Sequence, residues 1–125
     1  MQNFINKSHY KNLKKLNQKF INASPFPHIV IDNFLSKDLA LSLIKEVNSY
    51  DPKIKSRDYV FAKNKFEEPD LNNIGNCSKQ LKLFFLSEIF NDFLNKLTGE
   101  KSYVDPEFIG GGLHKGGKSS FLDMH

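Results

Sequence analysis

The chain has 125 residues, a net charge of +4 and a hydrophobic share of 39% with twelve Phe, which predicts one folded domain and excludes general disorder. The sequence contains no run of about 20 apolar residues, so no membrane span is predicted. The N-terminal residues lack a signal-peptide pattern. A single cysteine, Cys77, excludes an internal disulfide and favours a reducing compartment, so we expect a cytoplasmic protein.

The positive charge does not predict a nucleic-acid partner. The lysines are spread along the chain, with Lys14 and Lys15 as an adjacent pair, and the sequence contains one arginine, Arg57. Arginine is the residue expected at bidentate contacts with phosphates and guanine. We therefore expect a solvated, Lys-rich surface that binds neither nucleic acid nor a membrane.

The first half of the chain predicts two helices around a strand. Apolar residues recur every three to four positions from Ser8 to Asn22, as in an amphipathic helix. The prolines of SPFP end this helix, and the β-branched run HIVID (28–32) predicts a buried strand. Ser36 has the position of an N-cap for a second helix. Further on, RDYVFAKNKF (57–66) indicates a weak strand.

The clearest helical pattern follows a polar, turn-rich segment. It runs from Ser78, which has the position of an N-cap, to Gly99, which has that of a C-terminal cap. We expect its aromatic stripe to pack on a sheet and not to form a ligand pocket. Beyond Gly99 the helical period disappears, and strands are predicted around Phe108–Ile109 and over Ser120–His125.

Spacing singles out His125 as a candidate metal ligand. Residues two apart in a strand share a face, so Phe121, Asp123 and His125 are predicted to lie on one side. A histidine and a carboxylate supplied by one strand are two of the three ligands in the facial triad of non-haem Fe(II) oxygenases. Spacing alone does not decide the role of Asp123. It is either an iron ligand itself, or a residue that faces solvent or supports a ligand.

The other histidines are weaker candidates. His9 lies on the first predicted helix and His28 opens a predicted strand, whereas His114 follows three glycines and is the candidate for a position near a site. One cysteine cannot provide zinc-finger spacing. We do not interpret GGGLHKGG as a phosphate-binding loop, because the terminal Lys-Ser/Thr pair and the strand-to-helix context of such loops are not expected there.

Four segments, in this order, carry a family resemblance: SPFPHIVIDNFLS, FLNKLTG, DPEFIGGGLH and GGKSSFLDMH. Together they resemble the prolyl 4-hydroxylase-like branch of the Fe(II)/2-oxoglutarate-dependent dioxygenases, from Pro25 to His125. The resemblance implies an α+β fold whose N-terminal helices pack on the start of a double-stranded β-helix (jelly-roll, cupin-like), incomplete at the C-terminus. It divides the single domain into an N-terminal helix (1–24), a strand and helical support region (25–99) and the first β-helix strands (100–125).

The resemblance also assigns individual residues. His125 matches the first iron-binding histidine of the family's His-x-Asp motif, and Asp123 precedes that motif, so it is not the iron carboxylate. The carboxylate, the distal histidine and the basic residue that binds 2-oxoglutarate would all follow His125. Leu122 stands where many relatives have a tyrosine that contacts 2-oxoglutarate, so that contact is not expected here.

The implied activity is hydroxylation of a C–H bond in a peptidyl proline or a small molecule. The implied metal is Fe(II), with 2-oxoglutarate as co-substrate and ascorbate as a candidate reductant. Because His125 is the only ligand assigned in the chain, and no catalytic or co-substrate-binding residue is assigned, we expect the chain alone to be inactive. The alternatives are a non-catalytic interaction or basic nucleic-acid-binding module, and an accessory subunit that self-associates or is completed through unpaired strand edges.

Overall fold

The structure is a computed structural model that describes residues 4–51 and 57–123. Its mixed content of helices and antiparallel strands agrees with the predicted α+β class; the double-stranded β-helix stays a prediction. In chain order the elements are α1 (Lys7–Lys11), α2 (Leu13–Ile21), α3 (Lys37–Ser49), β1 (Arg57–Tyr59), β2 (Ala62–Glu68), a 3₁₀ helix (Leu71–Asn73), α4 (Asn76–Phe85), α5 (Glu88–Thr98) and β3 (Leu113–Leu122). None of the helices within these ranges is long and apolar enough to cross a bilayer.

The predicted first helix is divided in two at Asn12. The side chain of Asn6 caps α1 by accepting the backbone N–H of Ser8 at 3.2 Å. Asn12 ends α1, and its side-chain amide donates to the carbonyl of Ser8 at 2.9 Å. A side chain that binds the local backbone in this way competes with the helical hydrogen-bond pattern, which accounts for the interruption.

The core is formed by helices and the N-terminal segment. Phe93 and Ile5 are each 1% exposed, and Phe84, Phe90 and Leu97 complete the buried cluster. The prediction that the aromatic stripe packs on a sheet is wrong, because the partly buried hydrophobic residues described around this cluster come from helices and loops. The stripe does serve packing, as expected.

The HIVID segment is not a strand, which corrects the prediction. Ile29 and Ile31 pack against the helical core, whereas Val30 between them is 83% exposed. The two Ile side chains are therefore covered by helices, and no neighbouring strand pairs with this segment in the described chain. A short antiparallel bridge instead joins Ile5 to Leu35.

The long predicted helix is two helices, α4 and α5. Ser78 is not an N-cap, since α4 begins at Asn76 and Ser78 is buried inside it. The break occurs at Ser87, whose hydroxyl donates to the carbonyl of Phe84 at 2.6 Å and accepts the N–H of Phe90 at 3.3 Å. Gly99 ends α5 with φ of 78°, as predicted for a left-handed C-terminal cap.

The sheet has the order β1-β2-β3, with all pairs antiparallel. The predicted strand 57–66 is a hairpin, because β1 and β2 are joined by a turn at Val60 and Phe61. The predicted C-terminal strand exists but begins earlier, at Leu113, and Phe108–Ile109 is a turn in which Phe108 has φ of 56°.

Helix α3 approaches one face of this sheet. The ring of Tyr50, which follows α3, lies 6.2 Å from that of Phe66 on β2. Lys115 of β3, the register partner of Phe66, donates from Nζ to the carbonyl of Val47 at 3.2 Å. Since side chains alternate along a strand, Glu67 and its partner His114 belong to the opposite face.

Candidate functional site

The strand that leads to the predicted iron ligand is an outer strand of the sheet. β3 pairs with β2 as far as Leu122, which lies opposite Ala62. The backbone N–H of Asp123 then donates to the carbonyl of Phe61 at 2.7 Å, so the pairing continues to the β1–β2 turn. His125 lies outside the described residues, and its assignment as a metal ligand stays a prediction.

The described histidines do not come together. The ring of His9 pairs with the carbonyl of Asn33 at 3.1 Å, and that of His28 pairs with the carbonyl of Phe26 at 2.8 Å. His114 Nδ1 lies 3.3 Å from Glu67 Oε1. Between residues 4 and 123, apart from the gap at 52–56, no three His, Cys, Asp or Glu side chains are grouped as metal ligands. These residues therefore do not provide an iron ligand set.

β3 contains a large bulge ahead of its C-terminal end. Lys63 pairs with Phe121 and Lys65 pairs with Gly116, so β3 advances five residues while β2 advances two. Asn64 holds this bulge in place, because its side-chain amide donates to the carbonyl of Lys118 at 2.9 Å. Asn64 itself has φ of 51°, which Asn tolerates better than most residues.

The expectation that GGGLHKGG lacks a terminal Lys-Ser pair is wrong. From Gly112 to Ser119 the chain matches the spacing Gly-x₄-Gly-Lys-Ser of phosphate-binding loops, because Lys118 and Ser119 follow directly after GGGLHKGG. Such a loop joins a strand to the N-terminus of a helix. Here residues 113–119 of the motif belong to β3, so the structure lacks the backbone arrangement that gives the motif its chemistry.

A groove lies beside the bulge, with a volume of about 280 Å³. Three lysines line it, Lys63, Lys65 and Lys115, together with the exposed ring of Phe121. Lys65 Nζ is 2.6 Å from Glu67 Oε1, which also faces His114. No local pattern in the sequence indicates this groove, because its basic residues come from two segments about fifty positions apart.

The single cysteine lies in a structural cluster. Glu46 of α3 accepts the backbone N–H groups of Cys77 and Ser78 at 2.6 and 2.8 Å, and also the Ser78 hydroxyl at 2.8 Å. Burial, together with the charge of Glu46, raises the pKa of the Cys77 thiol. A raised pKa disfavours the reactive thiolate, so this cluster has the properties of a helix cap and not of a nucleophilic site.

Tyr50 and Glu68 form a second polar contact between α3 and the sheet. The Tyr50 hydroxyl donates to Glu68 Oε2, and this bond raises the pKa of Tyr50 to about 12 from its ordinary 10.0. A raised pKa means that the bond stabilises the fold below pH 10 and that the contribution is lost as the pH rises through about 12. We expect Tyr50→Phe to lower the free energy of unfolding at neutral pH by about 1 kcal/mol.

Urea unfolding at neutral pH measures that loss. Ultraviolet difference absorbance follows tyrosine ionisation, and the transition near pH 12 should be absent from Tyr50→Phe. Tyr103→Phe is the matched control, since Tyr103 is 76% exposed. Equal losses of stability from the two substitutions would show that the Tyr50–Glu68 bond does not hold α3 to the sheet.

The chain was also compared with known proteins. No protein-family model matches it, and neither a curated protein nor a solved structure shows significant similarity to it.

Proposed function

We propose that the chain is the N-terminal part of an Fe(II)/2-oxoglutarate-dependent dioxygenase domain of the prolyl 4-hydroxylase-like branch. The observation that carries the proposal is the course of β3, an outer antiparallel strand paired through Asp123 and therefore ordered to within two residues of His125. A first iron ligand positioned by a strand of a jelly-roll sheet requires such a support. The four sequence segments that resemble the family lie in the same order along the chain.

In this proposal the three strands begin a double-stranded β-helix that later strands complete. The end of the sheet near Asp123 exposes apolar side chains: Val60 is 90% exposed, Phe61 50% and Leu122 64%. Clustered apolar surface of this kind is typical of a face that another element covers. Its position, at the end of the sheet where β3 finishes, is where the next strands of the domain would pack.

The role of this chain in the proposed enzyme is to build the support and to supply one ligand, His125. Bound Fe(II), with 2-oxoglutarate as co-substrate, would activate O₂ as the oxidant, and ascorbate would act as the reductant that maintains the metal. The substrate is a peptidyl proline or a small molecule with an unactivated C–H bond, and the location is cytoplasmic. Since the resemblance assigns one iron ligand in this chain, His125, the 125 residues alone are proposed to be inactive.

The test compares this chain with a chain that continues past His125 through the downstream coding sequence. We expect the longer chain to bind Fe(II) and to decarboxylate 2-oxoglutarate, and the 125-residue chain to do neither. In the longer chain, His125→Ala should weaken Fe(II) binding by more than about 100-fold, because loss of a ligand exceeds loss of a residue that merely supports one. Calorimetry under anaerobic conditions and release of CO₂ from labelled 2-oxoglutarate measure the two effects.

His114→Ala in the longer chain is the matched control, because His114 also lies on β3 but contacts Glu67. It should leave Fe(II) binding within about twofold of the unsubstituted chain. The proposal fails if the longer chain binds no Fe(II), or if the two histidine substitutions have the same effect on binding.

A further inference from the structure

The groove between β2 and β3 carries an excess of positive charge. Of the three lysines that line it, Lys65 is paired with Glu67 at 2.6 Å, and Lys115 directs its ammonium group to the carbonyl of Val47, on the face toward α3. Lys63 forms no ion pair with any carboxylate in the part of the chain that the structure describes, and its side chain is exposed. The groove therefore favours an anionic ligand, with Lys63 as the cation that is available to it.

An aromatic ring lies next to this cation. Phe121 is the direct register partner of Lys63 across the β2–β3 pair, and both side chains line the groove. Directly opposite side chains of an antiparallel pair are close neighbours. Phe121 is also 56% exposed, so its ring is accessible to a flat ligand. A basic groove with an accessible aromatic ring is the combination by which proteins bind the phosphate and the base of single-stranded nucleic acids.

The bulge of β3 gives the groove its shape. The hydroxyl of Ser120 lies over Gly116, where an added Cβ atom would be 2.3 Å from Ser120 Oγ, so the excursion closes tightly on itself. Gly117 leaves similar room for the amide of Asn64, which holds the carbonyl of Lys118. These contacts hold the bulge of β3 on both of its sides. The shape of the groove is therefore determined by the backbone of the sheet.

We propose that this groove binds a nucleotide unit, with its phosphate at Lys63 and its base against Phe121. The same chemistry is presented by a free mononucleotide and by one unit of a single-stranded nucleic acid. The volume of about 280 Å³ is near the lower limit of small-molecule pockets and suits such a partly covered ligand. The proposal uses residues 62–122 only, so it does not depend on the oxygenase activity or on His125.

The experiment titrates the 125-residue chain with four probes at low salt: inorganic phosphate, adenosine, adenosine monophosphate and a short single-stranded oligonucleotide of mixed sequence. Backbone amide resonances of β2 and β3 report binding in the groove. We expect the monophosphate or the oligonucleotide to bind more tightly than phosphate or adenosine alone. Tighter binding of the oligonucleotide, with a steep salt dependence, identifies nucleic acid as the source; equal binding identifies the mononucleotide.

Two substitutions in the groove have matched controls elsewhere. Lys63→Gln and Phe121→Ala should each weaken binding by about 10-fold or more. Lys14→Gln on α2 and Phe26→Ala, whose ring is 63% exposed, make the same chemical changes outside the groove and should alter binding by less than about twofold. All four side chains are exposed, and circular dichroism checks that each variant is folded.

Three results would overturn the proposal. The first is no binding of the monophosphate or the oligonucleotide at about 50 mM salt, where electrostatic binding is strong. The second is an equal loss from Lys63→Gln and Lys14→Gln, which would indicate general attraction to a basic chain. The third is phosphate binding as tightly as the monophosphate with no effect of Phe121→Ala, which would exclude a platform for the base. None of these results bears on Fe(II) binding.

Discussion

Phe93→Ala is expected to destabilise the chain by about 3–5 kcal/mol, the range observed when a fully buried Phe is truncated. Phe93 is 1% exposed, and its ring lies 5.5 Å from that of Tyr10 and 5.9 Å from that of Phe34. One side chain therefore joins α5 to α1 and to the segment before α3. Because small domains are stable by only about 5–15 kcal/mol, we expect this variant to be largely or wholly unfolded. Urea unfolding followed by circular dichroism measures the loss.

Two further substitutions make the Phe93 result specific. Phe93→Leu preserves most of the buried volume and is expected to cost about 1–2 kcal/mol. Phe121→Ala removes the same atoms as Phe93→Ala from a ring that is 56% exposed, so stability should change by less than about 0.5 kcal/mol. If Phe93→Ala and Phe121→Ala were equally stable, the helical cluster around Phe93 would not be the core.

Glu46→Gln is expected to lower the free energy of unfolding by about 1–2 kcal/mol and Tm by about 4–8 °C at neutral pH. The Glu46 carboxylate accepts three hydrogen bonds at the N-terminus of α4, where it also meets the positive end of the helix dipole. Solvent reaches the carboxylate and screens part of its charge, so the estimate stays below that for a fully buried group. Thermal unfolding measures the change.

The pH dependence follows from the direction of the shift. Burial alone would raise the pKa of Glu46, but the hydrogen bonds from Cys77 and Ser78 outweigh it and hold the pKa below its ordinary 4.5. A lowered pKa means that the carboxylate stabilises the fold above about pH 4.5 and that this contribution disappears as the pH falls through the lowered value. The stability difference between the unsubstituted chain and Glu46→Gln should therefore vanish at low pH.

Glu88→Gln is the matched control for Glu46→Gln. Glu88 also lies in the first turn of a helix, α5, but that helix is capped by the hydroxyl of Ser87. We expect its substitution to cost less than about 0.5 kcal/mol, the value of an exposed charge near a helix dipole. Equal losses from the two substitutions would contradict the assignment of Glu46 as the cap that joins α3 to α4.

The helices and helix ends that were predicted correctly depend on residues close together in the sequence. The apolar period of α2, α3 and α5 indicates a helix, and Gly99 ends α5 in the left-handed conformation expected at that position. Ser36 occupies the predicted N-cap position of α3, although its side chain forms no capping hydrogen bond. Each of these features depends on contacts within about one helical turn, so the residue pattern is sufficient.

The tertiary structure decided what those elements contact. HIVID has the composition of a strand, yet its Ile side chains pack on helices. Ser78 resembles an N-cap, yet Glu46, 32 positions earlier, caps α4 and buries the serine. The lysines that seemed scattered form one basic groove because β2 and β3 pair across about fifty intervening residues. Contacts at such separations depend on how the whole chain packs, so local periodicity and composition cannot predict them.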